Sequence, residues 1–280
     1  MVKSAAEYLV LDIETVPDTT RWHRPELPHG VEPPFPPSWA HRIVVIGCLW
    51  LDANYQLKRI GVIGEGGGRP PESRSEAGGD DADERELLAD FSRFVGRAHP
   101  TLVSYNGRAF DLPVIALRSL CHGVPLPWYY QGKGVRYRYS EEGHLDLCDW
   151  LADHGATRSG SLDALAKLCG LPGKVGVDGS QVEGLYRAGQ LPAIQRYCLA
   201  DVTQTAFLFL RFRLLQGHLA PADYRTAAAG LLDALTQSGK VNDVLDAIDR
   251  PHLLSHAMGA SPSGPAPASP SGHTITAHEP

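Results

Sequence analysis

YLVLDIET, residues Tyr8–Thr15, is an apolar run that ends in two acidic residues. Its apolar and β-branched residues predict a buried strand over Tyr8–Ile13. Because successive side chains of a strand point to opposite faces, Asp12 and Glu14 share one face. Two carboxylates side by side at a strand end repel each other unless a cation lies between them. The pattern therefore indicates either a cation site or a strand end whose acids are solvated.

The segments after this strand predict a mixed sheet. Two more apolar segments follow directly, and three consecutive strands are typical of an antiparallel meander. Strand and helix patterns then alternate, as in parallel strands joined by crossovers. The predicted fold class is α/β, with a mixed β-sheet of three antiparallel strands and then parallel strands, flanked by helices. The predicted strands are Ile43–Leu51, Gln56–Ile63, Thr101–Asn106 and a short strand or strand-to-turn segment at His144–Trp150, and the predicted helices are Asp83–Val95, Leu112–Cys121, Ser161–Cys169 and Pro192–Leu215.

Three segments lack the periodicity of helices and strands. Residues 17–38 are rich in proline and predict a long loop, and residues 64–83 predict a Gly-rich insertion. From about residue 256 the chain is mostly Ser, Pro, Gly and Ala, which predicts disorder. The expected organisation is one domain over residues 1–215, a helical extension over 216–250 and a disordered tail over 251–280. The Pro-rich loop or the tail is the expected contact for a protein partner.

Composition excludes several classes of protein. The 280-residue chain carries a formal net charge of −6, which argues against a broad basic face that coats nucleic acid. No apolar run reaches the roughly 18 residues that a membrane-spanning helix needs. The first residues show no signal-peptide pattern, and the five cysteines form no CxxC pair. We therefore expect a protein with reduced thiols, located in the cytoplasm and not in a membrane.

Two further acids stand at positions that favour a site. Asp111 ends SYNGRAFD, at a strand-to-helix junction, where it is either a helix N-cap or a site residue. Asp201 follows Tyr197 by four residues, so both lie on one face of the last long helix; a solvated face is the alternative. Together with Asp12 and Glu14, these acids offer the hard oxygen ligands that Mg²⁺ and Mn²⁺ prefer. Two such ions clamp a phosphodiester in phosphoryl-transfer enzymes.

Three motifs in this order resemble the DEDD exonuclease superfamily. They are DIET at Asp12–Thr15, NGRAFDLP at Asn106–Pro113 and YCLADVTQT at Tyr197–Thr205. The sequence is most similar to the predicted 3′–5′ exonucleases related to the proofreading domain of family-B DNA polymerases, over Tyr8–Phe212. HLDL at His144–Leu147 and the Gly-rich segment Gly170–Val182 also resemble that group.

The resemblance implies a ribonuclease H-like fold and assigns a role to each motif residue. Asp12, Glu14 and Asp201 would hold a first Mg²⁺ or Mn²⁺ ion. Asp12 would also hold a second ion, with Asp111 in its outer shell. Tyr197 stands four residues before Asp201, which places the chain in the tyrosine branch of the superfamily, where this hydroxyl orients the attacking water.

The resemblance also implies contacts with the substrate. Thr15, Asn106 and Phe110 would touch the 3′-terminal nucleotides, although Phe110 is equally compatible with a core position. Lys174 in LPGK would bind a phosphate, or be a solvated loop lysine. Asp146 is either a supporting acid or a local turn cap. A basic and aromatic stretch is either a track for a single strand or a charged hairpin, and comprises Lys133, Arg136, Tyr137, Arg138 and Tyr139.

The function expected from these residues is metal-dependent 3′–5′ hydrolysis of single-stranded DNA or 3′ overhangs, with release of nucleoside 5′-monophosphates. A role in DNA repair and a single-stranded DNA partner follow from this expectation. Two alternatives remain at the level of sequence. One is an enzyme that degrades RNA or short oligonucleotides. The other is a non-catalytic adaptor that binds nucleic acid on the same fold.

Overall fold

A computed structural model of the protein describes residues 6–26, 34–65, 79–132, 134–176 and 179–255. Its centre is a five-stranded sheet in the order β3-β2-β1-β4-β5. β2 is antiparallel to both β1 and β3, whereas β4 is parallel to β1 and β5 to β4. The mixed sheet predicted from sequence is thereby confirmed. The strands are β1 (Tyr8–Pro17), β2 (His41–Leu51), β3 (Leu57–Val62), β4 (Thr101–Ser104) and β5 (His144–Asp146).

Helices cover both faces of the sheet. Among the described residues they are α1 (Gly79–Ala98), α2 (Asp111–His122), α3 (Pro127–Tyr130), α4 (Leu147–Leu151), α5 (Leu162–Leu168), α6 (Val182–Arg187), α7 (Leu191–Leu215), α8 (Pro221–Ser238), α9 (Asn242–Asp246) and α10 (Arg250–Leu254). Ser161 caps α5 as predicted, because its side chain accepts a hydrogen bond from the Ala164 amide. None of the helices in these ranges is long and apolar enough to cross a bilayer.

The two faces of β1 explain how the acids reach their position. Leu9, Leu11 and Ile13 pack into an apolar cluster with α1 and α2. Val10, between them, packs into the cluster formed by α7 and α8 on the opposite face. Since the side-chain period of a strand is two, Asp12 and Glu14 continue the Val10 face. On the face of β1 that packs against α7, the side chains therefore change from apolar to acidic towards the end of the strand.

Helix α7 is the central helix of the molecule. Its 25 residues are buried on almost every side, from Ile194 to Arg213, as expected for a helix that is apolar all around. It packs on β1 and β2 on one side, and on α5, α6 and α8 on the others. This fixes the residues of its N-terminal half against the sheet.

The C-terminal helices pack on the same core. Tyr224, Leu231 and Leu235 of α8 are fully or almost fully buried with residues of α7 and the sheet. The proposed boundary at residue 215 therefore separates segments that share one apolar cluster. The predicted tail of residues 251–280 begins within α10, so residues 251–254 are helical; residues 256–280 lie outside the described part of the chain.

Several local predictions need correction. β1 continues through Val16 to Pro17, because a terminal proline needs no ladder donor, so the Pro-rich loop starts one residue later. A register shift between Glu14 and Thr15 accommodates this extension. Helices α3 and α6 are not predicted from sequence, and the helix predicted over Asp83–Val95 extends over Gly79–Ala98. Residues 27–33, 66–78 and Lys133 lie outside the described ranges.

Candidate active site

Asp12 and Glu14 lie under the N-terminal half of α7. The Cys198 thiol of that helix donates to the Asp12 carbonyl oxygen at 3.4 Å and lies 3.5 Å from the Asp12 Oδ2 atom. Glu14 is 8% exposed, so the interpretation as a solvated strand end is wrong for this acid. The helix and the strand thus enclose the two carboxylates between them.

Gly47 makes this close approach possible. It pairs with Asp12 across the β1–β2 ladder. A Cβ atom at Gly47 would lie 2.6 Å from the Cys198 Sγ atom, well inside van der Waals contact. Because Gly47 has no side chain, α7 can lie close to β2 and to the neighbouring strand β1, which carries the acids.

Asp111 enters the site from the first turn of α2. Phe110 holds the N-cap position, so the interpretation of Asp111 as the N-cap is wrong. The Asp111 Oδ1 atom instead accepts the Ile13 amide at 3.1 Å, and the side chain is 3% exposed. This bond joins α2 to β1 at the residue between Asp12 and Glu14.

Tyr197 and Asp201 complete the group from one face of α7. Their side chains are hydrogen-bonded to each other, and Asp201 is close enough to Asp12 and Glu14 to affect the pKa of both carboxyls. The structure therefore brings together the five residues predicted for catalysis, from β1, α2 and α7. We refer to Asp12, Glu14, Asp111 and Asp201 as the carboxylate cluster.

Burial raises every pKa in this cluster, and repulsion by nearby acids adds to it. Burial is the larger cause in each case. The pKa of Glu14 rises to about 9, that of Asp111 to about 7 and that of Asp201 to about 6. The pKa of Asp12 rises well above its ordinary value, with further contributions from the other three acids. Buried like charges of this kind are stable together only with a proton or a cation.

The donor atoms of the cluster fit a hard divalent cation. One oxygen each from Asp12 and Glu14 and the Cys198 sulfur lie within 4.8 Å of one another. Burial and the nearby acids raise the pKa of the Cys198 thiol well above its ordinary value, so the sulfur stays protonated and donates a hydrogen bond. The remaining ligands are carboxylate oxygens, which suit Mg²⁺ and Mn²⁺ rather than thiophilic metals.

The predicted substrate contacts border this cluster. The Thr15 hydroxyl lies 2.9 Å from His41 Nδ1, and the Phe110 ring packs edge-on against the same imidazole. Asn106 adopts a left-handed backbone, with φ of 66°, which asparagine tolerates better than most residues. The positive charge of Lys174 lowers the pKa of Asp201, so this lysine lies near the cluster.

Asp146 is a structural support for the second motif. Its carboxylate accepts the amides of Asn106 and Arg108, both at 2.8 Å, and also caps α4 through the Cys148 amide at 3.0 Å. The interpretation as a local cap is confirmed, and a supporting role for this acid in the site stays a prediction. The same turn requires Gly107, because a Cβ atom there would lie 2.4 Å from the Ser104 Oγ atom.

The basic and aromatic stretch forms an exposed surface beside this motif. The Arg136 guanidinium lies 5.2 Å from the centre of the Tyr130 ring, and its carbonyl accepts from Arg108 at 3.3 Å. Tyr137 and Tyr139 are about three-fifths exposed and pack edge to face. Arg138 differs, because it is ion-paired with Asp149. The alternatives of single-strand track and charged hairpin both remain.

Three residues near the cluster were not predicted as part of a site. Cys198 lies beside Tyr197 in the sequence, and its position inside the motif Tyr197–Thr205 indicates that it lies near the acids. Gly47 interrupts an otherwise apolar strand, which indicates a close backbone approach. His41 carries no local signal, because its contact with Thr15 spans 26 residues.

Comparison with known proteins identifies a family over a region that begins after β1 and includes Asp111, Tyr197 and Asp201. Residues 33–250 match the family of predicted 3′–5′ exonucleases related to the exonuclease domain of PolB. The family B DNA polymerase from the hyperthermophilic archaeon Pyrobaculum calidifontis is 22% identical, with a TM-score of 0.48; the match covers 89% of this chain and 28% of the polymerase chain. No curated protein matches the chain. The mixed sheet and flanking helices are those of a ribonuclease H-like fold, and the chain belongs to the family of predicted 3′–5′ exonucleases related to the exonuclease domain of PolB.

Proposed function

We propose that this protein is a metal-dependent 3′–5′ exonuclease that hydrolyses single-stranded DNA or 3′ overhangs and releases nucleoside 5′-monophosphates. The observation that carries the proposal is the carboxylate cluster, in which four acids from three separate elements meet, Glu14 and Asp111 buried and Asp12 and Asp201 half-buried. Such a cluster costs stability in a protein with no use for it. It fits a site that binds two divalent cations and a phosphodiester.

The residues divide the work of such a site. Asp12, Glu14 and Asp201 would hold one Mg²⁺ or Mn²⁺ ion, and Asp12 with Asp111 in the outer shell would hold a second. When bound, the two ions would supply Lewis-acid polarisation of the scissile phosphate and neutralise its developing charge. The Ile13 amide fixes Asp111, and Cys198 fixes Asp12. The carboxylates are therefore held in place before a substrate arrives.

Tyr197 orients the attacking water in this proposal. Burial and the nearby acids raise the pKa of its hydroxyl far above the ordinary value, so the group stays protonated and donates to Asp201. Its oxygen can then accept a hydrogen bond from a water molecule. The tyrosine holds the nucleophile in line with the phosphorus and does not act as the base.

The choice of DNA rests on the family's relation to a DNA polymerase domain, and RNA or short oligonucleotides are the alternative substrates. A repair role and a cytoplasmic location belong to the same proposal. The five cysteines are free, which fits a reducing compartment.

Labelled single strands test the proposal directly. DNA and RNA strands labelled at either end are incubated with Mg²⁺, Mn²⁺ or a chelator, and the products are separated by size. Asp12→Ala should lower the rate at least about a thousandfold, since it removes a ligand shared by both ions. Tyr197→Phe should lower it about ten- to a hundredfold, because only the position of the water changes.

The matched control is Asp246→Ala, which removes an exposed acid at the end of α9 and should leave the rate unchanged. Circular dichroism establishes that each variant is folded. A folded Asp12→Ala protein that still cleaves at the wild-type rate would show that the reaction takes place elsewhere.

A further inference from the structure

Three rings beside the carboxylate cluster form one aromatic group. Phe35 packs against His41 with ring centres 4.8 Å apart and against Phe110 at 5.7 Å, and His41 and Phe110 lie 5.0 Å apart. The spacings are those of favourable aromatic pairs. We refer to these three residues as the ring cluster; Phe35 belongs to the Pro-rich loop, which has no role in the proposed catalysis.

The imidazole of His41 is held at both nitrogens. Its Nε2 atom lies 2.9 Å from the Pro36 carbonyl oxygen, which can only accept, so Nε2 carries the proton. Its Nδ1 atom lies 2.9 Å from the Thr15 hydroxyl. His41 is 2% exposed. The ring is therefore fixed in orientation and gives Phe35 and Phe110 a rigid surface to pack against.

The loop that carries Phe35 is also tied to the sheet. The Ala40 amide donates to the Pro37 carbonyl at 2.7 Å, and the Asp18 amide donates to the Ala40 carbonyl at 2.8 Å. Asp18 directly follows β1. The position of Phe35 is therefore set by hydrogen bonds at the end of the strand that carries Asp12 and Glu14.

The ring cluster lies next to the carboxylate cluster, because two of the residues that form or contact it are adjacent in sequence to acids of that cluster. Phe110 precedes Asp111, whose carboxylate accepts the Ile13 amide. Thr15, which contacts His41, follows Glu14. A strand whose terminal phosphate lay at the carboxylate cluster would place its last bases within reach of these rings.

Phe35 is 75% exposed, although its edge is packed. A phenylalanine that served only the core would be buried, as Phe91 is at 0%. An aromatic ring held in a fixed place with one face in water is suited to stacking on a flat ligand. Nucleobases are such ligands, and stacking accepts any base.

We propose that Phe35 forms a stacking site for a base of the 3′-terminal dinucleotide, with His41 as the positioning residue that holds it. This proposal rests on the proposed function, because it takes the carboxylate cluster as the place where the strand end is cleaved. It gives the Pro-rich loop a role in recognising unpaired 3′ ends.

The test compares Phe35→Ala with the wild-type protein on strands that do or do not carry the relevant base. Three single strands of one sequence are used, namely an intact strand, one abasic at the 3′-terminal position and one abasic at the penultimate position. Phe35→Ala should lower kcat/KM on the intact strand about tenfold. On one of the abasic strands this loss should disappear, because the stacking partner is already missing.

Phe35→Trp retains an aromatic face and should keep near wild-type values. Leu215→Ala is the matched control, since it removes a side chain that is 72% exposed on α7, about 21 Å along the helix from Asp201, and it should change nothing. An equal loss on all three strands would mean that Phe35 only supports the fold and would overturn the proposal.

A binding measurement separates this proposal from the proposed function. A strand with 2-aminopurine at either of its two last positions is titrated with protein in Ca²⁺, and quenching of its fluorescence reports stacking. Quenching by the wild type but not by Phe35→Ala supports the stacking site, even if no cleavage occurs and the exonuclease proposal fails. Quenching that survives Phe35→Ala, or no binding at all, overturns it.

Discussion

Two groups of acids in this protein differ in how their negative charge is compensated. Asp18 and Glu84 are 0% and 2% exposed, and Arg118, itself 1% exposed, donates to Asp18 at 2.7 Å and to both oxygens of Glu84. In the carboxylate cluster Glu14 and Asp111 are buried and Asp12 and Asp201 are half-buried, and the positive charge of Lys174 lowers the pKa of Asp201. The first group has a buried arginine between its acids, whereas the proposed function supplies the second with cations from solution.

The pKa values follow this difference. Burial raises the pKa of Asp18, but hydrogen bonds from Thr20, Arg118 and Arg21 outweigh it and hold that pKa well below the ordinary value. In the carboxylate cluster burial is reinforced by other acids, and the pKa values rise. Burial alone therefore does not decide the direction of the pKa shift in this chain; the charges beside each acid do.

Removing Arg118, the buried cation of the first group, should have the largest effect on stability. Arg118→Ala would remove the buried guanidinium that joins the two acids and would leave Asp18 with Arg21 and Glu84 with His122. We expect a loss of about 3–5 kcal/mol in the free energy of unfolding, measured in urea. The matched control is Arg93→Ala, which breaks an exposed pair with Asp90 and should cost under about 1 kcal/mol. Equal losses in the two variants would remove the distinction between the groups.

Adding Mg²⁺ or Mn²⁺ to occupy the carboxylate cluster should have the next largest effect on stability. At a concentration of Mg²⁺ or Mn²⁺ a hundred times its dissociation constant, the native state should gain about 3 kcal/mol, or roughly 5–10 °C in Tm. The gain should be larger at pH 8 than at pH 5, because protons compete for the same oxygens at low pH. Differential scanning fluorimetry measures both, and an Asp12→Ala protein should show little of the gain.

The sign of the pH effect follows from the raised values. A carboxyl whose pKa is higher in the folded than in the unfolded chain stabilises the fold while it is protonated. That contribution is complete below about pH 4 and is lost as the pH rises through about 6, 7 and 9 for Asp201, Asp111 and Glu14. Asp18 behaves oppositely, since its lowered pKa stabilises the fold above about pH 4 and the benefit is lost on acidification.

Removing one ionisable group from the carboxylate cluster should have the smallest effect of the three on stability, and the opposite sign to Arg118→Ala. At pH 8 the carboxyl of Glu14 must take up a proton on folding, because burial raises its pKa to about 9. Glu14→Gln keeps the shape of the side chain and removes this cost, so the chelator-treated protein should gain about 2 kcal/mol at pH 8. The same variant should lose nuclease activity. A metal-free Glu14→Gln protein that is no more stable than wild type would show that the pKa of Glu14 is not raised by its surroundings.

Much of this arrangement follows from local patterns in the sequence. The apolar alternation of β1 places Asp12 and Glu14 on one face, and helical spacing places Tyr197 with Asp201. These predictions depend on periodicity within a few residues, which backbone geometry enforces. The order of the three motifs then indicated that the elements converge, as the structure shows.

The remaining features depend on contacts between distant parts of the chain. Arg118 reaches Asp18 across 100 residues and Glu84 across 34, and no local pattern distinguishes it from a surface arginine. The need for glycine at position 47 follows only from its contact with Cys198, which is distant in sequence. The short helices α3 and α6 have too few residues for a periodic signal, so tertiary packing decides them.

The separation of the acids along the chain has a consequence for folding. Asp201 follows Asp12 by 189 positions and belongs to a helix that must dock on β1 before the acids meet. A chain in which α7 is not docked therefore lacks the complete carboxylate cluster. Under the proposed function, nuclease activity would report that this helix has docked.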